Sequence, residues 1–187
     1  MASGAVTTTL AHDDHGIGVA SRPAEPETKI EGLSMVVFSG DLDKALAAFI
    51  IANGAAAMDL PVHMFFTFWG LNILRKEGPV HPPNKKTMIE GMFARMMPQG
   101  PGALQLSKMK MGGLGTRMIK REMGKKHVEP LAKLIQSARD QNVEFIACKM
   151  SMDLMGIQKE ELLPNLTIGN VGSFIDAADR SRITLFI

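Results

Sequence analysis

The clearest pattern in this chain of 187 residues is LSMVVFSGDLDKALAAFIIANGAAAMDLPVHMFFT, residues 33–67. It opens with an apolar run typical of a buried strand, and Ser39-Gly40-Asp41 then provides a turn and a helix cap. Apolar residues recur at helical spacing over residues 42–57, until Asp59-Leu60-Pro61 ends the helix and a second apolar run follows. The stretch therefore predicts a β-α-β unit with two parallel strands.

Strands and helices continue to alternate along the rest of the chain. The pattern predicts a short helix over Trp69 to Lys76, a helix near Val128 to Asp140, a strand over 143–147, a short helix after Ser151, helical turns within Gly172 to Ala178, and a last strand over Ile183 to Phe186. This alternation favours a three-layer α/β sandwich around a mainly parallel sheet. Such sheets bind ligands at the carboxyl ends of their strands.

The composition and the positions of Pro and Gly residues predict one globular domain with a tail and an insertion. A hydrophobic content of 45% suits a single core. We expect residues 1–29, which are poor in large apolar side chains, to be a mobile tail, and residues 30–187 to be one domain that includes an insertion at 79–126. The tail contains His12-Asp13-Asp14-His15. A flexible chain does not pre-organise such ligands, so we expect neither a metal nor another cofactor.

Charge and cysteine usage limit the compartment and the partners. A single cysteine cannot form an intramolecular disulfide, and residues 1–16 lack the features of a secretory signal, so we expect a cytoplasmic protein. The apolar stretch Leu60 to Leu74 is shorter than the roughly 20 residues of a transmembrane helix. A net charge of +2 is too small to predict nucleic-acid binding.

The insertion is strongly basic and rich in methionine. Residues 85–126 contain ten basic and two acidic residues, and Met88, Met92 and Met96 are spaced to share one helical face. Because Pro and Gly residues separate its two halves, we expect a helical hairpin or two short helices. Three roles remain open for this surface: packing within or between subunits, docking of a partner, and peripheral contact with a membrane.

Cys148 is the candidate reactive group. It follows an apolar run at the predicted strand end and precedes a predicted helix, where unpaired N–H groups and the neighbouring Lys149 favour a thiolate. Ser151 follows in the same turn, and we expect Asp153 to cap the helix or pair locally. The alternative is that Cys148 is a small buried hydrophobic residue.

Two further groups are candidates for a ligand crevice beside Cys148, at the carboxyl ends of the strands. The Ser39-Gly40-Asp41 turn reaches it if the strand before the turn is a neighbour of the Cys148 strand. Trp69 lies at a strand exit, where it either lines the crevice or fills the core, and we favour the core.

Three motifs in order resemble the DsrE/DsrF-like superfamily: MVVFSGDLDKA at 35–45, FFTFWGL at 65–71 and ACKMSMD at 147–153. The methionine-rich insertion resembles the longer branch that carries a peroxiredoxin-like label. The resemblance covers Leu33 to Ile187, and it implies a flavodoxin-like or Rossmann-like α/β fold, homo-oligomers and a role in sulfur trafficking.

In that scheme, Cys148 matches the cysteine that accepts sulfur as a persulfide or thiosulfonate. A rhodanese-like donor supplies the sulfur and a small TusA-like carrier receives it. The first alternative is a non-catalytic binding or assembly module that uses the carboxyl edge of the sheet and the basic insertion. The second alternative is a one-cysteine thiol peroxidase. It is the weaker of the two, because Phe145 and Ile146 stand where a peroxiredoxin-type threonine would be expected.

Overall fold

The structure, a computed structural model, describes residues 32–78, 80 and 86–187. The predicted tail and its His12–His15 cluster lie outside these residues. The described strands form one sheet, and they are β1 (Leu33–Val37), β2 (Val62–Phe66), β3 (Glu144–Cys148), β4 (Thr167–Gly169) and β5 (Ile183–Phe186). The strand order is β4-β3-β2-β1-β5, and every neighbouring pair is parallel. The predicted α/β architecture is confirmed, and the sheet of the described strands is wholly parallel.

Helices cover both faces of the sheet. The α-helices of the described residues are α1 (Leu42–Ala56), α2 (Met88–Met96), α3 (Leu114–Lys125), α4 (Leu131–Asp140), α5 (Lys149–Met155) and α6 (Val171–Asp179). Short 3-10 helices occupy Phe68–Leu74, Pro101–Ala103, Met111–Gly113 and Lys159–Glu161. Helices α1 and α4 contact each other, and α1 and α6 both contact β1 and β2. No helix of the described residues is long and apolar enough to cross a bilayer.

The alternation of side chains along the strands separates two apolar clusters. On β2, Phe66 packs against Phe49 of α1, with ring centroids 6.1 Å apart. The preceding Phe65 packs against Phe174 of α6 at 5.5 Å. Because successive strand residues point to opposite faces, α1 and α6 lie on opposite sides of the sheet. The α1 side contains the larger core.

Several predicted boundaries shift in the structure. The helix expected over Trp69 to Lys76 is the 3-10 helix Phe68–Leu74, and the short helix expected after Ser151 begins earlier, at Lys149. Strand β4 was not predicted, because three residues between polar segments give little periodicity. The described residues of the insertion contain two α-helices, α2 and α3, as expected.

A buried ion-pair network connects the start of the insertion to the sheet domain. The Arg75 guanidinium donates to Glu161 at 3.1 Å, and the Lys86 ammonium lies 2.6 Å from the other carboxylate oxygen. The Gln158 backbone N–H also donates to Glu161, at 2.9 Å. The side chains of Arg75 and Glu161 are almost fully buried. The network therefore joins the segment after the 3-10 helix Phe68–Leu74 and the start of the insertion to the 3-10 helix Lys159–Glu161 through buried contacts.

Candidate functional site

Cys148 is the last residue of β3 and the N-cap residue of α5. Its side chain lies on the α6 side of the sheet, in a cluster with Phe65 and Ile146. Val36 and Phe174 pack against this cluster. Only 1% of Cys148 is exposed, so the sulfur is covered in this conformation.

The surroundings of the thiol favour its ionised form. Burial raises the pKa of Cys148, but hydrogen bonds to the sulfur outweigh this effect. The strongest come from the side chain and backbone N–H of Ser151, followed by the Thr67 side chain and the Met150 backbone N–H. The pKa of Cys148 therefore lies below its ordinary value, because the donors stabilise the thiolate.

The two hydroxyls around the sulfur also contact each other. The Thr67 Oγ1 and Ser151 Oγ atoms lie 2.8 Å apart in a buried position. Each hydroxyl has one proton, so one can donate to the sulfur while it accepts the proton of the other. Thr67 directly follows β2, and Ser151 lies in the first turn of α5. The hydroxyl pair thus joins the ends of two neighbouring strands around the thiol.

The charge of Lys149, which was expected to favour the thiolate, is not among the causes of the lowered pKa of Cys148. The Lys149 ammonium forms an ion pair with Asp153, one helical turn further along, and both side chains are exposed. The local pairing expected for Asp153 is therefore observed. Because solvent and Asp153 screen the Lys149 charge, hydroxyl and N–H donors, rather than this ammonium, account for the lowered pKa of Cys148.

The Ser39-Gly40-Asp41 turn is further from the thiol than its predicted role requires. Strand β2 lies between β1 and β3, so the ends of β1 and β3 are separated by two strand spacings, about 10 Å. Asp41 is the N-cap residue of α1, but its side chain forms no capping hydrogen bond. Its carboxylate instead accepts from the Ser39 hydroxyl at 3.0 Å and pairs with Lys44 at 3.2 Å. The turn therefore supplies the helix cap position that the sequence predicts, but without a capping hydrogen bond from a side chain.

Trp69 lies beside the same turn. A Cβ atom on Gly40 would lie 2.7 Å from the Trp69 carbonyl oxygen, so the two backbones are in close contact. The Trp69 side chain is 48% exposed, and the expectation that it fills the core is wrong. The sequence placed Trp69 near a strand exit but could not indicate the side to which the ring points.

Thr67 is the site residue that the sequence did not single out. Its position directly after β2 could have indicated a place at the site. That inference requires the strand order, because only the order shows that β2 lies next to β3, the strand of Cys148. Among the described residues, no three His, Cys, Asp or Glu side chains are placed to hold a metal ion. The chemistry available at this site is that of a buried, polarised thiol.

Comparison with known proteins gives the family. Residues 29–186 match the DsrE/DsrF/DrsH-like family. The chain belongs to this family. It is 48% identical over 154 residues to the uncharacterized protein YrkE of Bacillus subtilis, with 82% of this chain and 95% of that relative covered.

A second relative in this family has a descriptive name. The chain is 33% identical over 159 residues to the sulfur carrier protein DsrE2 of Allochromatium vinosum, with 83% of this chain and 97% of that relative covered. Among solved structures, the YchN protein of E. coli aligns with a TM-score of 0.49 and 10% identity, over 84% of this chain and 99% of that one. The name of the second relative describes that protein as a sulfur carrier.

Proposed function

We propose that this protein of the DsrE/DsrF/DrsH-like family is a sulfur carrier in which Cys148 holds the transferred sulfur. The observation that carries the proposal is the set of hydrogen-bond donors from Ser151, Thr67 and Met150, which lowers the pKa of Cys148 despite its burial. A thiolate is the nucleophile that sulfur transfer requires. A structural cysteine in an apolar core would instead have a raised pKa.

The transfer needs no external oxidant. The Cys148 thiolate attacks the outer sulfur of a donor persulfide, a new S–S bond forms, and the donor leaves as a thiolate. Cys148 then carries the persulfide, and an acceptor thiolate that attacks its outer sulfur regenerates the Cys148 thiolate. With tetrathionate, attack on an inner sulfur leaves a thiosulfonate on Cys148 and releases thiosulfate.

Movement of α6 would open one route to the sulfur. Phe174 of this helix packs against the cluster that contains Cys148. Ala177 is the only buried residue of the nine in α6, so the helix buries little of its own surface. Weakly packed elements open at a small free-energy cost. We infer that a partner reaches Cys148 when α6 moves away, and that the closed form protects the carried sulfur from solvent.

The proposed partners follow the same chemistry. A rhodanese-like protein would supply the sulfur and a small TusA-like carrier would receive it, in the reducing cytoplasm where free thiols persist. We also propose that copies of this chain associate. Support comes from exposed apolar side chains on α6 and β5, namely Val171, Ile175, Ile183 and Phe186. Light scattering of the purified protein would test the oligomeric state.

Intact-protein mass spectrometry tests the sulfur carrier. Wild type and Cys148→Ser are incubated separately with polysulfide, tetrathionate and peroxide, and urea-unfolded wild type provides a control for reagent reactivity. We expect wild type to gain sulfur or thiosulfonate, Cys148→Ser to gain neither, and a carrier thiol to remove the adduct. If unfolded wild type reacts while native wild type does not, the sulfur carrier is rejected. Rapid oxygen addition from peroxide alone would indicate a peroxidase.

The burial of Cys148 favours one second candidate, a binding or assembly module in which the thiol is structural. In that case native Cys148 resists both sulfur loading and alkylation, and Cys148→Ser retains every partner of the wild type. The two candidates thus predict opposite results in the same mass-spectrometry experiment.

A further inference from the structure

One face of α3 combines exposed apolar side chains with basic ones. Leu114 and Met118 lie one helical turn apart, and they are 52% and 60% exposed. Arg117, Arg121 and Lys125 are also exposed and lie three or seven residues from one of these two positions. At these spacings they lie on the same side of the helix or flank it. We call these five residues the α3 face.

The opposite side of the helix is attached to the protein. Thr116, one of the two buried residues of α3, accepts a hydrogen bond from the Leu106 backbone N–H at 3.1 Å. The Lys120 ammonium donates to the Gly102 carbonyl oxygen at 2.8 Å. Because these contacts fix the orientation of α3, the α3 face points away from the protein.

The charge around the α3 face is strongly positive. Residues 108–126 contain seven basic residues, all exposed, and one acidic residue. That acidic residue, Glu122, pairs with Lys125 at 3.0 Å. The surface therefore attracts anions. Exposed apolar side chains between the cations indicate a partner that has an apolar region as well as negative charge.

We propose that the α3 face docks on an anionic lipid surface. A helix with a basic and an apolar surface lies in the plane of a bilayer interface, where its apolar side chains reach the acyl boundary and its cations contact phosphates. Leu114 and Met118 supply the apolar part, and flexible methionine adapts to an irregular surface. An acidic polypeptide would use the cations but would leave these two apolar side chains in water.

The test is co-sedimentation of the full-length protein with vesicles. One set contains phosphatidylcholine alone and the other contains phosphatidylcholine mixed with phosphatidylglycerol. The first variant, Arg117→Gln/Arg121→Gln/Lys125→Gln, removes the cations of the α3 face. Its control, Lys133→Gln/Lys159→Gln/Arg180→Gln, removes the same charge from α4, from the 3-10 helix Lys159–Glu161 and from the end of α6.

We expect wild type to bind the anionic vesicles only. Each cation should strengthen binding about fivefold, so the loss of three should weaken the binding of the first variant roughly 100-fold. The control should bind like wild type. Concentrated salt should release the wild type, because it screens the charges. Equal binding to both vesicle types, no binding to either, or equal losses in the two variants would overturn the proposal.

A second variant, Leu114→Ser/Met118→Ser, separates a lipid surface from an acidic protein. On anionic vesicles its binding should fall about tenfold, because two apolar side chains no longer enter the interface. Binding to polyglutamate should not change. If vesicle binding also stays unchanged, charge alone carries the interaction, and an acidic polypeptide replaces the lipid as the occupant. All variants should load sulfur like wild type, so this result is independent of the proposed sulfur carrier.

Discussion

The Thr67 hydroxyl lies 2.8 Å from the Ser151 hydroxyl, and both side chains help to lower the pKa of Cys148. This contact connects the end of β2 to the first turn of α5, and it places two polar groups in an otherwise apolar cluster. Buried hydroxyls that are satisfied by each other and by a thiolate lower the free energy of the ionised state. The reactivity of Cys148 should therefore depend on a pair of residues that carry no charge.

Ser151→Ala should raise the pKa of Cys148. The pKa of the wild-type thiol lies below its ordinary value. Its alkylation rate should therefore rise with pH and level off at a lower pH than that of a free thiol. Loss of the Ser151 hydroxyl removes the strongest stabilising hydrogen bond, which shifts the curve to higher pH and slows alkylation at neutral pH by about tenfold. The measurement is the rate of iodoacetamide labelling as a function of pH.

Ser137→Ala provides the matched control for Ser151→Ala, because Ser137 lies on α4, away from the thiol. Its pH profile should coincide with that of the wild type. Thr67→Val should move the profile in the same direction as Ser151→Ala but by less, since Thr67 contributes less to the lowered pKa. A Ser151→Ala profile that superimposes on the wild type would exclude the hydroxyl as a stabilising donor.

Phe174→Ala should expose the thiol. Phe174 packs against the cluster around Cys148, and Ala177 is the only fully buried residue of α6. With the ring removed, α6 opens more often, and native-state alkylation should become about tenfold faster. Ile50→Ala is the control, because Ile50 is 53% exposed and belongs to α1, on the other side of the sheet, so its loss should leave the rate within a factor of two. Equal rates in both variants would mean that access follows another route.

Glu161→Gln should strongly destabilise the fold. It leaves the buried Arg75 guanidinium and the Lys86 ammonium without their carboxylate, at an expected cost of about 3–5 kcal/mol. Glu122→Gln is the matched control, because the Glu122–Lys125 pair is exposed and should contribute less than about 1 kcal/mol. Urea unfolding of both variants measures the difference. Similar free energies of unfolding would show that the buried network contributes no more than a surface pair.

The sequence predicts the helices and strands of the fold better than it predicts which strands lie next to each other in the sheet. Strand β1, helix α1 and strand β2 follow from local periodicity, which is encoded within a few residues. The position of β2 between β1 and β3 depends on crossovers that span long stretches of chain. Residue patterns do not specify that order, and so the Ser39-Gly40-Asp41 turn was expected closer to the thiol than it lies.

The site was predicted in part for the same reason. Cys148 could be selected because it is the single cysteine and stands between a strand and a helix. Lys149 is a candidate from the sequence because it is adjacent to Cys148, but the helix directs its side chain toward Asp153, four residues along. Thr67 was missed, because 84 residues separate it from its partner Ser151.

Two glycine-to-alanine substitutions should have opposite effects on stability. A Cβ atom on Gly70 would lie 2.0 Å from the Val37 carbonyl oxygen, where the chain after β2 crosses the end of β1. Since backbone atoms cannot move aside cheaply, Gly70→Ala should destabilise the protein by about 3 kcal/mol or more. Gly54, in α1, has open space around its Cβ position. Gly54→Ala should stabilise the protein by about 0.5–1 kcal/mol, because alanine favours the helix.

Urea unfolding of the two glycine variants and wild type measures both effects on one scale. Because Gly70 N–H also donates to the Phe38 carbonyl oxygen, at 2.9 Å, displacement of this segment in Gly70→Ala should disturb Thr67 three residues earlier. Gly70→Ala should therefore raise the pKa of Cys148 as well as lower stability, while Gly54→Ala should leave the alkylation profile unchanged. A stable Gly70→Ala protein with wild-type alkylation would contradict the close crossing of these two segments.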